Sequence, residues 1–294
     1  MSLGALFRRL IDRADAPPVP SPESDHSPRN VPAARMLAEA WLAAAEAGKL
    51  TPPADVHSPG AWDEYWRNQL KVGALDQRFA DFMSSDTTLP PLLARRSART
   101  ILCAGNGLSN EALALTLLGF NVTALDISAV PGQLFAAMLR DASRPIHRIP
   151  GFSERDDGSV VFSAASSIDP ELCPPIYRSA DYPPRGGGSL VYATGDLMDP
   201  QVCPGPFDVV IERRTLQLFP KTERLVALER LVARLSNRGV FVSQQHVGCW
   251  KPGDDRTHYA QSWLASRGFV IASERTFRES GAASRLAFVT FSSG

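Results

Sequence analysis

From Ala98 onward the chain alternates short apolar runs with amphipathic stretches, the pattern of strands and helices taking turns. ARTILCAG predicts a buried strand and SNEALALTLLGF a helix. NVTALDIS follows as a strand and AVPGQLFAAMLRDA as a helix. SLVYATGDL and FDVVIERR are the third and fourth strands. KTERLVALERLVARLSNRG reads as one long amphipathic helix stopped by glycine, leading into the strand VFVSQQHV. DDRTHYAQSWLASRG is a further helix, before the strands FVIASERTF and SRLAFVTFSS. Alternation of this kind predicts an α/β fold, a largely parallel sheet with helices on both faces. RESGAA, between the last two strands, is too short for a crossover helix, so those strands must pair antiparallel.

Upstream the pattern differs. Residues 1–32 end in a Pro-, Ser- and charge-rich stretch with nothing to bury, expected to be a disordered leader. Residues 33–97 are expected to form a helical N-terminal cap, with helices at AARMLAEAWLAAAEAGKL, from Ala61 in AWDEYWRNQL, and at LDQRFADFM. Residues 98–294 are the expected core, interrupted at about 150–188 by an irregular insertion that has room for a small hairpin around GSVVFSA. Trp62 and Trp66, four apart, share a helix face and are expected to pack in a core.

Composition narrows this only modestly. A 44% hydrophobic and 21% charged chain is an ordinary globular one, and 31 basic against 31 acidic residues give no strong nucleic-acid signal. Cys103, Cys173, Cys203 and Cys249 are scattered and form no metal-binding or disulfide pattern, and reduced thiols of this kind fit a cytoplasmic protein. No apolar run is long enough to span a membrane.

The candidate chemistry sits where the first predicted strand ends. Gly105 and Gly107 allow a sharp turn and leave no Cβ to obstruct a ligand. In open parallel sheets ligands bind beyond this end of the strands. Ser109 can cap the helix that follows. Asp126 ends the second strand, 21 residues after Gly105 (126 − 105), the distance at which a carboxylate meets a ribose diol. The plainer role for Asp126 is to cap the helix beginning at Ser128. Nicotinamide dinucleotides and adenosyl ligands share this much. A dinucleotide loop wants a third glycine at 110, where this chain has Asn110.

ILCAGNGLS, NVTALDIS, TGDLMD and FDVVIERRTLQLF, in this order and followed by the terminal hairpin, resemble the motifs of the class I S-adenosylmethionine-dependent methyltransferases. AWDEYW is similar to the Trp-rich helix before the core of thiopurine-methyltransferase-like members. The resemblance implies a Rossmann-like sheet of seven strands whose antiparallel last strand is inserted beside its neighbour. It also implies S-adenosyl-L-methionine as cofactor. The backbone at Ala104, Gly105 and Gly107 would flank the methionine end and Asp126 the ribose. Ile127 would pack on adenine, Asp196 would accept from its amino group, and the Leu197 amide would meet a ring nitrogen. Glu212 and Arg213 would line the boundary between cofactor and substrate. Where family members often carry an acid, this chain has Cys103, which the residues themselves suggest is a buried structural thiol.

The methyl acceptor is not named by any motif; a small molecule or a protein side chain is expected. Arg213 and Arg214 could bind an anionic group, although neighbours on a strand cannot both face one pocket. His246, near Trp250 at the end of the fifth strand, could take a proton. The alternatives are a nicotinamide-dinucleotide oxidoreductase and a non-catalytic adenosyl-binding scaffold.

Overall fold

The computed structural model describes residues 52–71, 92–93, 96–107, 109, 111–133, 152–154, 160–163, 188–246, 261–278 and 285–293. The expected leader, the helix at 33–50, LDQRFADFM, Asn110, Trp250, Cys173 and Cys249 lie outside them.

The elements are α1 (Pro59–Lys71), β1 (Thr100–Ala104), α2 (Glu111–Leu117), β2 (Asn121–Asp126), β3 (Phe152–Glu154), β4 (Val160–Ser163), β5 (Ser189–Thr194) and β6 (Phe207–Arg213). They continue with α3 (Arg224–Val232), β7 (Leu235–His246), α4 (Gln261–Ser266), β8 (Phe269–Arg278) and β9 (Arg285–Ser293). All nine strands join one sheet in the order β3-β4-β5-β2-β1-β6-β7-β9-β8. From β5 to β7 every neighbouring pair is parallel. β9 runs antiparallel to both β7 and β8, and so is the reversed strand inserted beside its neighbour. These are the seven strands read from the hydrophobic pattern. The 150–188 excursion adds two more, a hairpin of β3 and β4 that extends the β5 edge antiparallel.

Burial explains the strands. β1 is buried at four successive positions from Ile101, and β6 at four from Val209, as expected where helices cover both faces. The main core packs Leu102, Leu125, Val210, Phe241 and Phe291 against Ala227, Leu228 and Leu231 of α3. Each large apolar side chain buried in this way contributes roughly 1.5–3 kcal/mol.

One helix is shorter than expected. The stretch from Lys221 to Gly239 was read as helix throughout, yet α3 ends at Val232 and β7 already begins at Leu235. The cause is tertiary. Arg234, buried after the last turn, donates to the carbonyls of Leu197, Asp199, Val202, Cys203 and Arg230, at 2.6–3.1 Å for the shortest bond to each. Leu235 pairs with Phe207 across a bulge. Together these bonds outweigh the helical propensity of the segment.

α1 starts where the Ser58 hydroxyl accepts the Ala61 amide, with Pro59 in the first turn. Trp62 and Trp66 are both buried and stacked, 5.8 Å between centroids, as core packing requires. They lie against Val130, Ile127 and Leu218, so α1 covers the carboxyl ends of the central strands.

Candidate functional site

β1 is the switch point: β2 lies on one side of it and β6 on the other, and the crevice opens beyond their carboxyl ends. Gly105 and Gly107 turn the chain there with φ of +62° and +51°, a region that costs any residue with a Cβ roughly 1–2 kcal/mol. Space is short as well. A Cβ on Gly105 would run into the Thr215 side chain, and one on Gly107 would lie 2.5 Å from the Trp66 ring. The loop is thus gripped by Thr215, whose hydroxyl donates to the Ala104 carbonyl at 3.1 Å, and roofed by Trp66.

Between the glycines, Asn106 is buried and ties the loop to itself. Its side-chain amide donates to the carbonyls of Gly107 and Ser109 and to the Tyr192 hydroxyl. The Ser109 hydroxyl accepts the Glu111 amide at 3.2 Å, which is the expected cap on α2. Asp126 is buried at the loop's edge. Its Oδ2 accepts the Gly107 amide at 2.8 Å and its Oδ1 the Ser128 amide at 3.0 Å. One carboxylate therefore joins the glycine loop to the start of the next helix. That helix takes its own cap from Ser128, whose hydroxyl accepts the Val130 amide and donates to Asp63 of α1.

Farther along, Ile127 is half-buried beneath the tryptophans. Asp196 follows β5; its Oδ1 accepts the Met198 amide at 2.8 Å. Its Oδ2 lies 3.4 Å from His57 Nδ1, while His57 Nε2 meets Glu223 at 2.8 Å. The Glu223 carboxylate raises the His57 pKa above its ordinary value; burial opposes the rise, and Asp196 adds to it. Leu197 is buried and packs into the main core.

A cleft lies between the glycine loop, α2 and the ends of β6 and β7. Cys103, Ala104, Gly105, Glu111, Arg213 and Gln244 contribute to its walls. Glu212, expected at this boundary, is not in the lining. Strand alternation turns it to the opposite side from Ile211 and Arg213, where it is fully buried. There its Oε1 accepts from Ser243 and from Gln245, and its Oε2 from the amides of Thr215 and Leu216. Burial raises its pKa, and these bonds, Ser243 first, oppose the rise.

Arg213 and Arg214 both line the cleft, contrary to the expectation that adjacent residues could not. Alternation fails because Arg214 has φ of +62° and leaves the strand. Its amide donates to the Gln244 carbonyl at 2.7 Å. His246 is not part of the lining; its backbone amide is held by Gln217 Oε1 at 2.9 Å. Gln244, two residues earlier, reaches the cleft instead.

Glu111 drew no attention in the sequence, since an acid in a first helical turn is ordinary. In the fold it is 2% exposed. Its Oε2 lies 3.5 Å from Arg213 Nε, and among the described residues no donor reaches its Oε1. Burial pushes its pKa up to about 7, with Arg213 pulling the other way. Cys103 is a buried free thiol whose pKa is raised well above the ordinary range by burial and then by Glu111.

No family model matches the chain, and no curated protein matches it. Among solved structures it is similar to magnesium protoporphyrin IX methyltransferase from Synechocystis PCC 6803 with bound SAM, at 15% identity and TM-score 0.44, over 87% of this chain and 90% of that one. It is also similar to the N-methyltransferase NodS from Bradyrhizobium japonicum WM9 with S-adenosylhomocysteine, at 12% identity and TM-score 0.40, over 70% and 84%. A third is the Burkholderia thailandensis 1,6-didemethyltoxoflavin-N1-methyltransferase, at 12% identity and TM-score 0.45, over 84% and 92%. At such values the chemistry has to be read from this chain's own residues.

Proposed function

We propose that the protein is an S-adenosylmethionine-dependent methyltransferase acting on a small molecule or a protein side chain. The observation that carries this reading is the buried Asp126 carboxylate, keyed to Gly107 at the edge of a two-glycine turn on the sheet's switch point. A carboxylate is the acceptor that a ribose diol, with its two hydroxyl donors, requires. The reversed β9, between β7 and β8, supports the same reading. The simple dinucleotide-binding order runs on without it.

The cofactor class supplies an electrophilic methyl group on a sulfonium. The chain's task is then to hold the acceptor in line and keep water out. Ala104 and Gly105, in the cleft wall, offer backbone groups to the methionine end, and Asp126 fixes the ribose. Ile127 and Asp196 stand on the adenine side. Trp66, roofing Gly107, excludes water from the loop. Arg213, at the inner wall, orients the acceptor or the cofactor's charged end. Glu212 serves beneath as the anchor of the 213–216 turn.

Calorimetry with S-adenosylmethionine, S-adenosylhomocysteine and NAD tests the proposal. We expect both adenosyl ligands to bind and NAD not to; binding of NAD alone would reverse the reading. Asp126→Ala should weaken adenosyl binding by about 1–3 kcal/mol, the worth of charge-assisted hydrogen bonds. An unchanged affinity would show that the ribose does not sit there.

A further inference from the structure

The segment before α1 sets a histidine against Asp196, the acid that the adenosyl reading gives to adenine. Val56 is buried in the main core, and its carbonyl accepts from Trp62 Nε1 at 3.1 Å. The Asp55 carboxylate accepts the His57 backbone amide at 3.0 Å. The backbone around His57 is thus held in place, and its ring, edge-on to Phe219, meets a carboxylate at each nitrogen. Glu223, just before α3, lies 2.8 Å from Nε2, and Asp196, after β5, lies 3.4 Å from Nδ1. Asp196 Oδ1 accepts the Met198 amide, and Oδ2 is the oxygen that meets the ring. Arg224 and Arg234, the cations of the flanking elements, direct their guanidinium groups to backbone carbonyls.

An acceptor at each ring nitrogen calls for a donor at each, and only the protonated imidazole has both. A neutral ring keeps one N–H. That donor stays with the nearer carboxylate, Glu223, and the longer contact to Asp196 is given up. We infer that His57 and the adenine amino group compete for Asp196 Oδ2, so that uptake of the adenosyl ligand is coupled to loss of a proton from His57. This rests on the adenosyl reading above, which makes Asp196 the acceptor of that amino group. While the imidazolium holds Oδ2, the ligand has to displace it. Once the ring is neutral and turned to Glu223 alone, Oδ2 is open to the amino group. The carboxylates, Glu223 foremost, hold the pKa above the ordinary 6.5, so the exchange falls on the alkaline side of that value. A bound ligand takes one carboxylate from the ring, lowers its pKa and so expels protons, which makes affinity rise with pH across the window. All three side chains are partly exposed, and screening by water limits the coupling to a few-fold.

The test is calorimetry on the full chain at about pH 6 and about pH 8, on either side of the histidine's titration. The ligands are S-adenosylhomocysteine and its analogue with hydrogen in place of the 6-amino group. At the lower pH, His57→Ala should bind S-adenosylhomocysteine about twofold to fivefold more tightly than the wild type, and at the higher pH the two should bind it alike. The analogue, which offers Asp196 no donor, should bind both proteins equally at each pH. Glu111 titrates in the same window, but in both proteins, so comparing them at one pH isolates the histidine. If His57→Ala does not fold, His57→Gln, a weaker and uncharged donor, should show the same gain. Equal affinities for S-adenosylhomocysteine at the lower pH overturn the competition and leave the adenosyl reading standing. A gain that persists at the higher pH overturns the role of the proton. A gain shared by the analogue overturns the role of Asp196, because the ring then obstructs the ligand by bulk alone. Binding of S-adenosylhomocysteine by neither protein at either pH overturns the adenosyl reading and this inference with it.

Discussion

Two buried carboxylates flank the cleft, one in its wall and one turned away from it, and the protein treats them in opposite ways. Glu212, under the end of β6, receives four donors, from Ser243, Gln245, Thr215 and Leu216. Glu111, on α2, has one arginine at 3.5 Å and an oxygen that no donor reaches among the described residues. Both are raised in pKa by burial. A side chain that has been completed by its own fold is there to hold the fold. One left incomplete at a cleft is there for something that arrives later. The contrast separates architecture from chemistry by the donors each acid receives, since both are buried beside the same cleft.

The largest effect that can break this contrast is on the architectural side. Glu212→Ala should destabilise the protein by about 3–5 kcal/mol, since it strands two backbone amides and two side-chain donors in a dry interior. Equilibrium denaturation in urea measures it. A loss below about 1 kcal/mol would mean that water or rearranged side chains take over the four bonds. Glu212 would then be no more structural than Glu111.

Glu111 gives the next effect, and its sign follows from its protonation. Its folded pKa of about 7 lies above the ordinary 4.5. Between these values the native state keeps a proton that the unfolded chain has released. Stability must therefore fall as pH rises from about 4.5 to about 7, and the full penalty persists above that. With a shift of about 2.5 units (7 − 4.5), the penalty is about 3 kcal/mol. Glu111→Gln should remove this slope, so that the variant gains on the wild type as pH rises through the window. Denaturation midpoints of the two proteins, compared at about pH 5 and about pH 8, test it. Parallel curves would show that Glu111 is ionised at both pH values, stabilised by its surroundings as fully as any satisfied acid.

The sequence foretold the architectural side better than the chemical one. Seven strands could be read because each is a buried apolar run, and the reversed β9 followed from a connection too short to cross the sheet. The Ser109 cap and the bond from Asp126 to the Ser128 amide were legible because each partner lies two residues away. Glu111 was not: nothing in SNEALALTLLGF distinguishes a solvated first-turn acid from one pressed against β6. The contact with Arg213 is made across 102 positions (213 − 111) and exists only once the sheet has formed. Glu212 was assigned to the cleft because its place at a strand end was visible. The face it points to depends on the register of β6 with β7. Arg214 escaped strand alternation for a similar reason, its φ being set by the turn that Thr215 and Glu212 organise.

The smallest effect belongs to a third arrangement of charge, at the surface, and it marks where the contrast stops applying. His57 bridges Glu223 and Asp196 with its side chain 39% exposed, beside Asp196 at 35% and Glu223 at 39%. Its pKa is raised, by the Glu223 carboxylate first. A raised histidine contributes stability that is fully present below its unfolded pKa of about 6.5 and is lost as pH rises through the folded value. Water screens such exposed pairs, so His57→Gln should cost under about 1 kcal/mol at about pH 6 and close to nothing at about pH 8. Added salt should shrink even the acidic difference. A cost that is large, or unchanged by salt and by pH, would mean that His57 holds the 52–58 segment through its edge contact with the Phe219 ring and not through charge. In that case packing, as well as donors, would decide what a charged group contributes. Completeness of hydrogen bonding would then no longer suffice to tell an architectural acid from one that awaits a ligand.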